Sequence, residues 1–204
     1  MPVMESNVVA TSQTLAAQAG LRMLLNGGNA VDAALATAIT LTVVEPTSNG
    51  IGSDAFALVW DDQKLHGING SGRSPQAWSL QRFAGLDEMP TFGWDTVTVP
   101  GAVAAWVQLS QKFGKLPFDD LFVAAIGYAK NGFIVSPITA ERWAAAAQKY
   151  SRFVDFGKTF LPAGRAPRAG EIFRCPDQAR TLQSIAVSKG ESFYRGDLAQ
   201  QIVD

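Results

Sequence analysis

The sequence predicts an α+β domain, and three observations predict it. An alanine-rich helix pair joined by a tight turn opens the chain between residues 11 and 44, two apolar runs flank a polar turn at 55–69, and capped helical patterns follow one another from Ala102 onward. The first and third carry the 3.6-residue period of helices, while the second is the signature of a hairpin. At 204 residues, with 47% hydrophobic and 17% charged side chains, the composition is that of an ordinary globular protein with a substantial core. No repeat, low-complexity tract or linker divides it, so residues 1–204 read as a single domain.

Each element has its own warrant. Thr11 or Ser12 caps a helix reaching to about Asn26, with Leu15, Ala19, Met23 and Leu24 on its apolar face. Gly27 and Gly28 end it with positive backbone angles. Asn29 caps the next helix, and Asp32 in its first turn meets the positive end of the helix dipole. Val31, Leu35, Ala38 and Ile39 make that helix apolar on most sides, as a buried helix is. It runs to Val44, where Pro46, Gly50 and Gly52 break the pattern. Ala55 to Trp60 and Leu65 to Asn69 form the hairpin around Asp61-Asp62-Gln63-Lys64. Gly70-Ser71-Gly72-Arg73-Ser74-Pro75 cannot continue a strand and forms a loop at its end.

Val97 and Val99, alternating with Thr96 and Thr98, mark a short extended piece ending at Pro100-Gly101. A helix from Ala102 to Phe113 stops at Gly114, and another opens at Leu116-Pro117-Phe118-Asp119-Asp120 and runs to Asn131-Gly132. Ser136-Pro137 begins a third, through about Tyr150. Residues 151–176 show no clear period and wrap a surface. A helix capped at Asp177 or a neighbour reaches about Lys189, and another begins at Leu198 and is cut off, which points to a piece of something larger.

Several functions are excluded. The formal net charge of -1 provides no basic field for a phosphate backbone, so no nucleic-acid partner is expected. One histidine and one cysteine rule out an intrachain disulfide and the common His/Cys metal sites, and nothing calls for a metal or other cofactor. The run from Ala30 to Val44 falls short of the roughly 20 residues of a membrane span. Without a recognisable signal sequence at Met1 to Asn7, the expected location is cytoplasmic.

The candidate chemistry is sparse. Gly50-Ile51-Gly52-Ser53-Asp54 is no phosphate cradle, because its order is helix then strand. Asp54 is expected to hold a loop amide. Arg174 is positioned to lower the thiol pKa of Cys175, yet no histidine but distant His66 exists to pair with it. The five tryptophans are scattered, and most are expected in core or interface. Ser71 or Thr98 as nucleophile lacks a convincing base. No catalytic residue is assigned.

Asn26-Gly27-Gly28-Asn29-Ala30-Val31-Asp32-Ala33-Ala34 and Val44-Glu45-Pro46-Thr47-Ser48-Asn49-Gly50-Ile51-Gly52-Ser53 resemble the start of the large subunit of the gamma-glutamyltranspeptidase family. The resemblance continues, in order, at 98–106, 112–118, 124–136 and 193–199. It implies the N-terminal-nucleophile hydrolase architecture, an αββα sandwich of which this chain is a large-subunit portion, in the cephalosporin or glutaryl acylase-like branch. It also implies self-processing to expose a threonine whose hydroxyl attacks an amide carbonyl, with the free amine as base. The sequence holds no matching threonine motif, so the nucleophile is expected in a downstream small subunit, the principal partner.

The substrate implied is a small gamma-glutamyl or glutaryl amide, and glutathione metabolism is the implied setting. In the transpeptidases an arginine in the loop after the second hairpin strand binds the substrate carboxylate, to which a planar guanidinium offers two hydrogen bonds. Here Ser71 stands at that place and Arg73 two residues later, with Gly72 permitting close backbone approach. Ser71, Gly72 and Arg73 are therefore the candidate substrate-binding residues. Alone the chain is expected to be inactive, with open sheet edges that favour an oligomer. The alternative is a catalytically inactive fragment acting as a self-association module.

Overall fold

The computed structural model describes residues 5–204. Helix α1 (Thr14–Leu25) is capped by Gln13, whose side chain accepts the N–H groups of Leu15 and Ala16. Ser12 does not cap it: its hydroxyl donates to Glu45 at 2.5 Å. Of the glycine pair after α1, Gly27 alone takes a positive φ.

Helix α2 (Ala30–Val44) begins with the capping box that Asn29 and Asp32 encode. Asp32 does more than meet a dipole. It is fully buried and also accepts the backbone N–H groups of Lys115 and Leu116, 83 and 84 residues on. Asn29 completes the tie by donating to the Phe113 carbonyl at 2.7 Å. α2 is the hub of the molecule, with Leu35, Ile39, Val43 and Val44 sealed in the core.

Strands β1 (Ala55–Trp60) and β2 (Leu65–Gly70) pair antiparallel, Ala55 opposite Gly70 and Trp60 opposite Leu65. Ala55, Ala57, Val59 and Ile68 turn toward the helices and pack on the core. Phe56, Leu58, Trp60 and Leu65 point the other way and are 60–75% exposed. The extended piece expected before Pro100 is not a strand: Trp94–Thr96 is a 3-10 turn and 97–101 is irregular. Thr96 donates its hydroxyl locally to the Gly93 carbonyl, while Thr98 donates its own to the Ser71 carbonyl of the loop after β2.

Helix α3 (Ala102–Phe113) follows, then a 3-10 turn (Phe118–Phe122) that leads directly into α4 (Val123–Asn131). Strand β3 (Phe133–Ile134) precedes α5 (Pro137–Lys149), which Ser136 caps. The stretch without period contains α6 (Val154–Phe160) and strand β4 (Ile172–Phe173), which pairs with β3. Aromatic stacking holds it: Trp143 donates its indole N–H to the Phe160 carbonyl and meets the Phe173 ring edge-on at 4.7 Å. Helices α7 (Pro176–Ser188), α8 (Glu191–Arg195) and α9 (Asp197–Val203) complete the chain.

Trp106 and Trp143 are core residues, while Trp60 and Trp94 stand exposed. The α+β class holds. Among the described residues, however, sheet is confined to two two-stranded ladders, so no sandwich closes within them.

Candidate substrate-binding site

The loop after β2 is anchored through its backbone and free at its arginine side chain. Arg73 accepts the Val99 N–H on its carbonyl at 2.9 Å, and Ser71 accepts the Thr98 hydroxyl on its carbonyl at 3.1 Å. Ser71 also donates its N–H to the Asn69 side chain at 3.0 Å. Two glycines permit this contact. Gly72 has a φ of +82°, and a Cβ there would overlap the Val99 carbonyl, while a Cβ at Gly101 would overlap the Gly70 carbonyl. Backbone therefore lies directly on backbone between 70–73 and 98–101.

The same residues line a depression of about 450 Å³, with Arg73, Ser71 and Gly72 on one side and Gln108 of α3 and Tyr194 of α8 on the other. The structure thus brings the three candidate residues together at one concave surface. Arg73 is exposed and, among the described residues, forms no ion pair, so its guanidinium fork faces solvent unengaged. The Ser71 side chain is also exposed; its hydroxyl reaches only the Gly72 carbonyl, at 3.5 Å.

Tyr194 was not singled out by sequence reasoning. It lies 121 residues from Arg73, and its motif at 193–199 carried no chemical signal. Its hydroxyl donates to the Pro100 carbonyl at 2.7 Å and accepts the Ala104 N–H at 3.0 Å. Burial raises its pKa, so the phenol stays protonated.

The other candidates resolve as structure. His66 Nε2 lies 2.5 Å from an Asp61 carboxylate oxygen, and its ring meets Phe113 edge-on. The Lys64 backbone N–H, the His66 side chain and the Gln63 N–H hold the Asp61 pKa down at about 2. This pair closes the hairpin turn. Asp54 is exposed and, among the described residues, holds no loop amide; the turn before it is closed instead by Ser53, whose hydroxyl donates to the Gly50 carbonyl. The Cys175 pKa is raised rather than lowered, because burial dominates and Arg174 turns away to donate to the Asn131 carbonyl. Among the described residues no group of three or more His, Cys, Asp and Glu is placed to hold a metal, and no helix is long and apolar enough to cross a membrane.

The described residues thus form a helical layer under a hairpin whose far face is apolar, with a glycine-necked arginine loop at the strand end. The gamma-glutamyltranspeptidase sequence profile matches residues 16–204, and the chain belongs to that family. The glutathione hydrolase-like YwrD proenzyme of Bacillus subtilis is 36% identical over 98% of this chain and 40% of its own length. The oxamate amidohydrolase proenzyme of Klebsiella pneumoniae is 36% identical over 92% of this chain and 37% of its own. Among solved structures, the cephalosporin acylase of Bacillus halodurans superposes with a TM-score of 0.90 at 50% identity, over 98% of this chain and 40% of that one. The gamma-glutamyltranspeptidase of Helicobacter pylori does so with 0.92 at 27%, over 99% and 60%. The chain thus falls in the acylase-like branch, and it spans about 40% of the length of the curated relatives it matches.

Proposed function

We propose that this chain is the N-terminal part of the large chain of a gamma-glutamyltranspeptidase-like amide hydrolase or acyltransferase, with its threonine nucleophile outside these 204 residues. The observation that carries the reading is the unengaged Arg73 guanidinium on a backbone fixed by Val99, at the edge of a depression wide enough for a small acyl group. Arg73 binds the carboxylate of a gamma-glutamyl or glutaryl amide through its planar fork. Ser71 and Gly72 shape the rim, and the Ser71 hydroxyl adds a hydrogen bond without charge.

In this reading the exposed face of Phe56, Leu58, Trp60 and Leu65 receives the second sheet, and the threonine-bearing small subunit supplies the attacking hydroxyl and its amine base. The reaction divides into acylation of that hydroxyl with loss of the amine, then release of the acyl group to water or to an amine acceptor. This chain's residues orient the acyl carboxylate in both halves and exchange no proton.

The test is to prepare the complete protein and assay glutaryl and gamma-glutamyl anilides, with and without Arg73→Ala. The expected result is turnover only with the threonine-bearing chain present, and a KM raised at least tenfold by Arg73→Ala. Turnover by the 204 residues alone, or a KM unmoved by the substitution, overturns the assignment. A chain that instead forms a defined homodimer and excludes the small subunit would favour a self-association module, to which the uncovered hairpin face also lends itself.

A further inference from the structure

Among the described residues, the loop bearing Arg73 has no side chain that hydrogen bonds to a helix. Its position depends on residues 98–101, on which 70–73 rest backbone to backbone. That second segment is itself irregular, so something must fix it. Three ties do. Ala102 donates its N–H to the Ser53 carbonyl at 3.0 Å, Thr98 reaches the Ser71 carbonyl, and the Tyr194 hydroxyl bridges Pro100 and Ala104.

Among the described residues, Tyr194 is the one side chain from another element that hydrogen bonds to this stretch. It also does what the sequence at the start of α3 cannot. Gly101 occupies the N-cap position and has no side chain to accept an N–H, so the Ala104 amide takes the phenol oxygen instead. The same hydroxyl donates its proton to Pro100, tying the helix start and the preceding carbonyl to α8 with a single atom.

We propose that Tyr194 is a positioning residue for substrate binding: its hydroxyl clamps 98–101 against Ser71-Gly72-Arg73 and thereby sets the direction of the Arg73 guanidinium. The inference rests on the reading of Arg73 as the carboxylate ligand. Both of its hydroxyl's bonds are spent on backbone, so Tyr194 acts through the loop and not on the substrate.

The experiment is Tyr194→Phe in the complete protein, which keeps the ring and removes both bonds. Hydrogen exchange of the Val99 amide, which donates to Arg73, should accelerate about tenfold, as expected for one or two lost hydrogen bonds. With a glutaryl anilide, KM should rise about fivefold while kcat stays within twofold; in an Arg73→Ala background, adding Tyr194→Phe should move KM less than twofold. Equal KM penalties in the two backgrounds, or kcat falling in step with melting temperature, would overturn the proposal. Unchanged Val99 exchange would overturn it without reference to catalysis. Faster exchange with KM unmoved by either single substitution would retain the clamp and reject Arg73 as ligand. Should Tyr194→Phe fail to fold, Thr98→Val cuts the adjacent tie to Ser71 and must give the same faster exchange and the same dependence on Arg73.

Discussion

α2 and the β1–β2 hairpin are both strongly apolar, yet the molecule covers all of one but a narrow stripe at Ala30 and Ala34 and the other on one face only. α2 is wrapped by α1, α3 and α4, and its buried Asp32 is met by three backbone N–H groups. The hairpin packs on α3 and the core through Ala55, Ala57, Val59 and Ile68, while Phe56, Leu58, Trp60 and Leu65 stand in solvent. A helix apolar all round is a core helix. A sheet apolar on both faces is a middle layer, and full burial of each large side chain contributes about 1.5–3 kcal/mol that this half-covered hairpin forgoes. The difference separates apolar surface that the described residues bury among themselves from apolar surface that they leave in water.

The largest effect belongs to the covered region. Asp32→Ala removes a buried carboxylate and orphans the N–H groups of Asn29, Lys115 and Leu116 together. Hydrogen bonds to charged groups contribute roughly 1.5–3 kcal/mol each, so the loss should be at least about 3 kcal/mol, read as a lower urea midpoint. A drop below about 1 kcal/mol would show that Asp32 does not join α2 to the turn after α3.

At the boundary between the regions, Gly101→Ala sets a methyl group against the Gly70 carbonyl. Neither partner is a flexible side chain, so the backbone must part, at a cost of about 1–3 kcal/mol, the range for overpacking. The paired readout is exchange of the Val99 amide, which should accelerate even where global stability is little changed. Protection equal to the wild type would mean that the loop neck does not depend on this contact.

The hairpin turn gives a smaller, pH-dependent effect. The folded Asp61 pKa is lowered from 3.8 to about 2, so the carboxylate contributes stability above about pH 4 that is lost as pH falls through 2. Asp61→Asn keeps an oxygen for the Lys64 and Gln63 N–H groups but removes the ionisation. The variant's urea midpoint should therefore fall less steeply between pH 4 and 2 than that of the wild type. Parallel curves would place the acid sensitivity elsewhere, with Glu171, held near 2 by Arg165 and by the Arg168 N–H, the next group to test.

How much of this was legible follows from the same contrast. Asn29, Asp32, Pro137 and Gly114 announce helix ends through local chemistry, and the structure places those ends accordingly. What failed to show in the sequence was set at a distance. Gln13 rather than Ser12 caps α1 because Glu45, 33 residues on, takes the Ser12 hydroxyl, and Arg142 of α5 joins the same carboxylate at 3.1 Å. The alternation at 96–99 suggested a strand, yet among the described residues no strand pairs with it: Thr96 bonds locally to Gly93, and Thr98 bonds to the loop at Ser71. The loop after β2 was legible because glycines and a proline punctuate it. Tyr194 was not, since nothing in a tyrosine near the end of the chain reveals that it completes a helix cap at Ala104.

The smallest expected effect on the isolated chain is the most informative about the uncovered face. Leu58→Lys and Trp60→Lys replace side chains that are 75% and 62% exposed and whose strand neighbours already face solvent. Each should change the urea midpoint of the 204 residues by no more than about 0.5 kcal/mol, the usual range for surface positions. In the complete protein a lysine at either position would bury an unpaired charge between two sheets, and assembly should fail or the melting temperature should fall sharply. The ratio of the two effects measures how much of the hairpin's apolar surface another layer covers. Equal, small effects in both contexts would mean that the face stays in water in the finished molecule. Large effects in both would mean that copies of this chain already pair through it, and gel filtration of the wild type at rising concentration would then show the dimer directly.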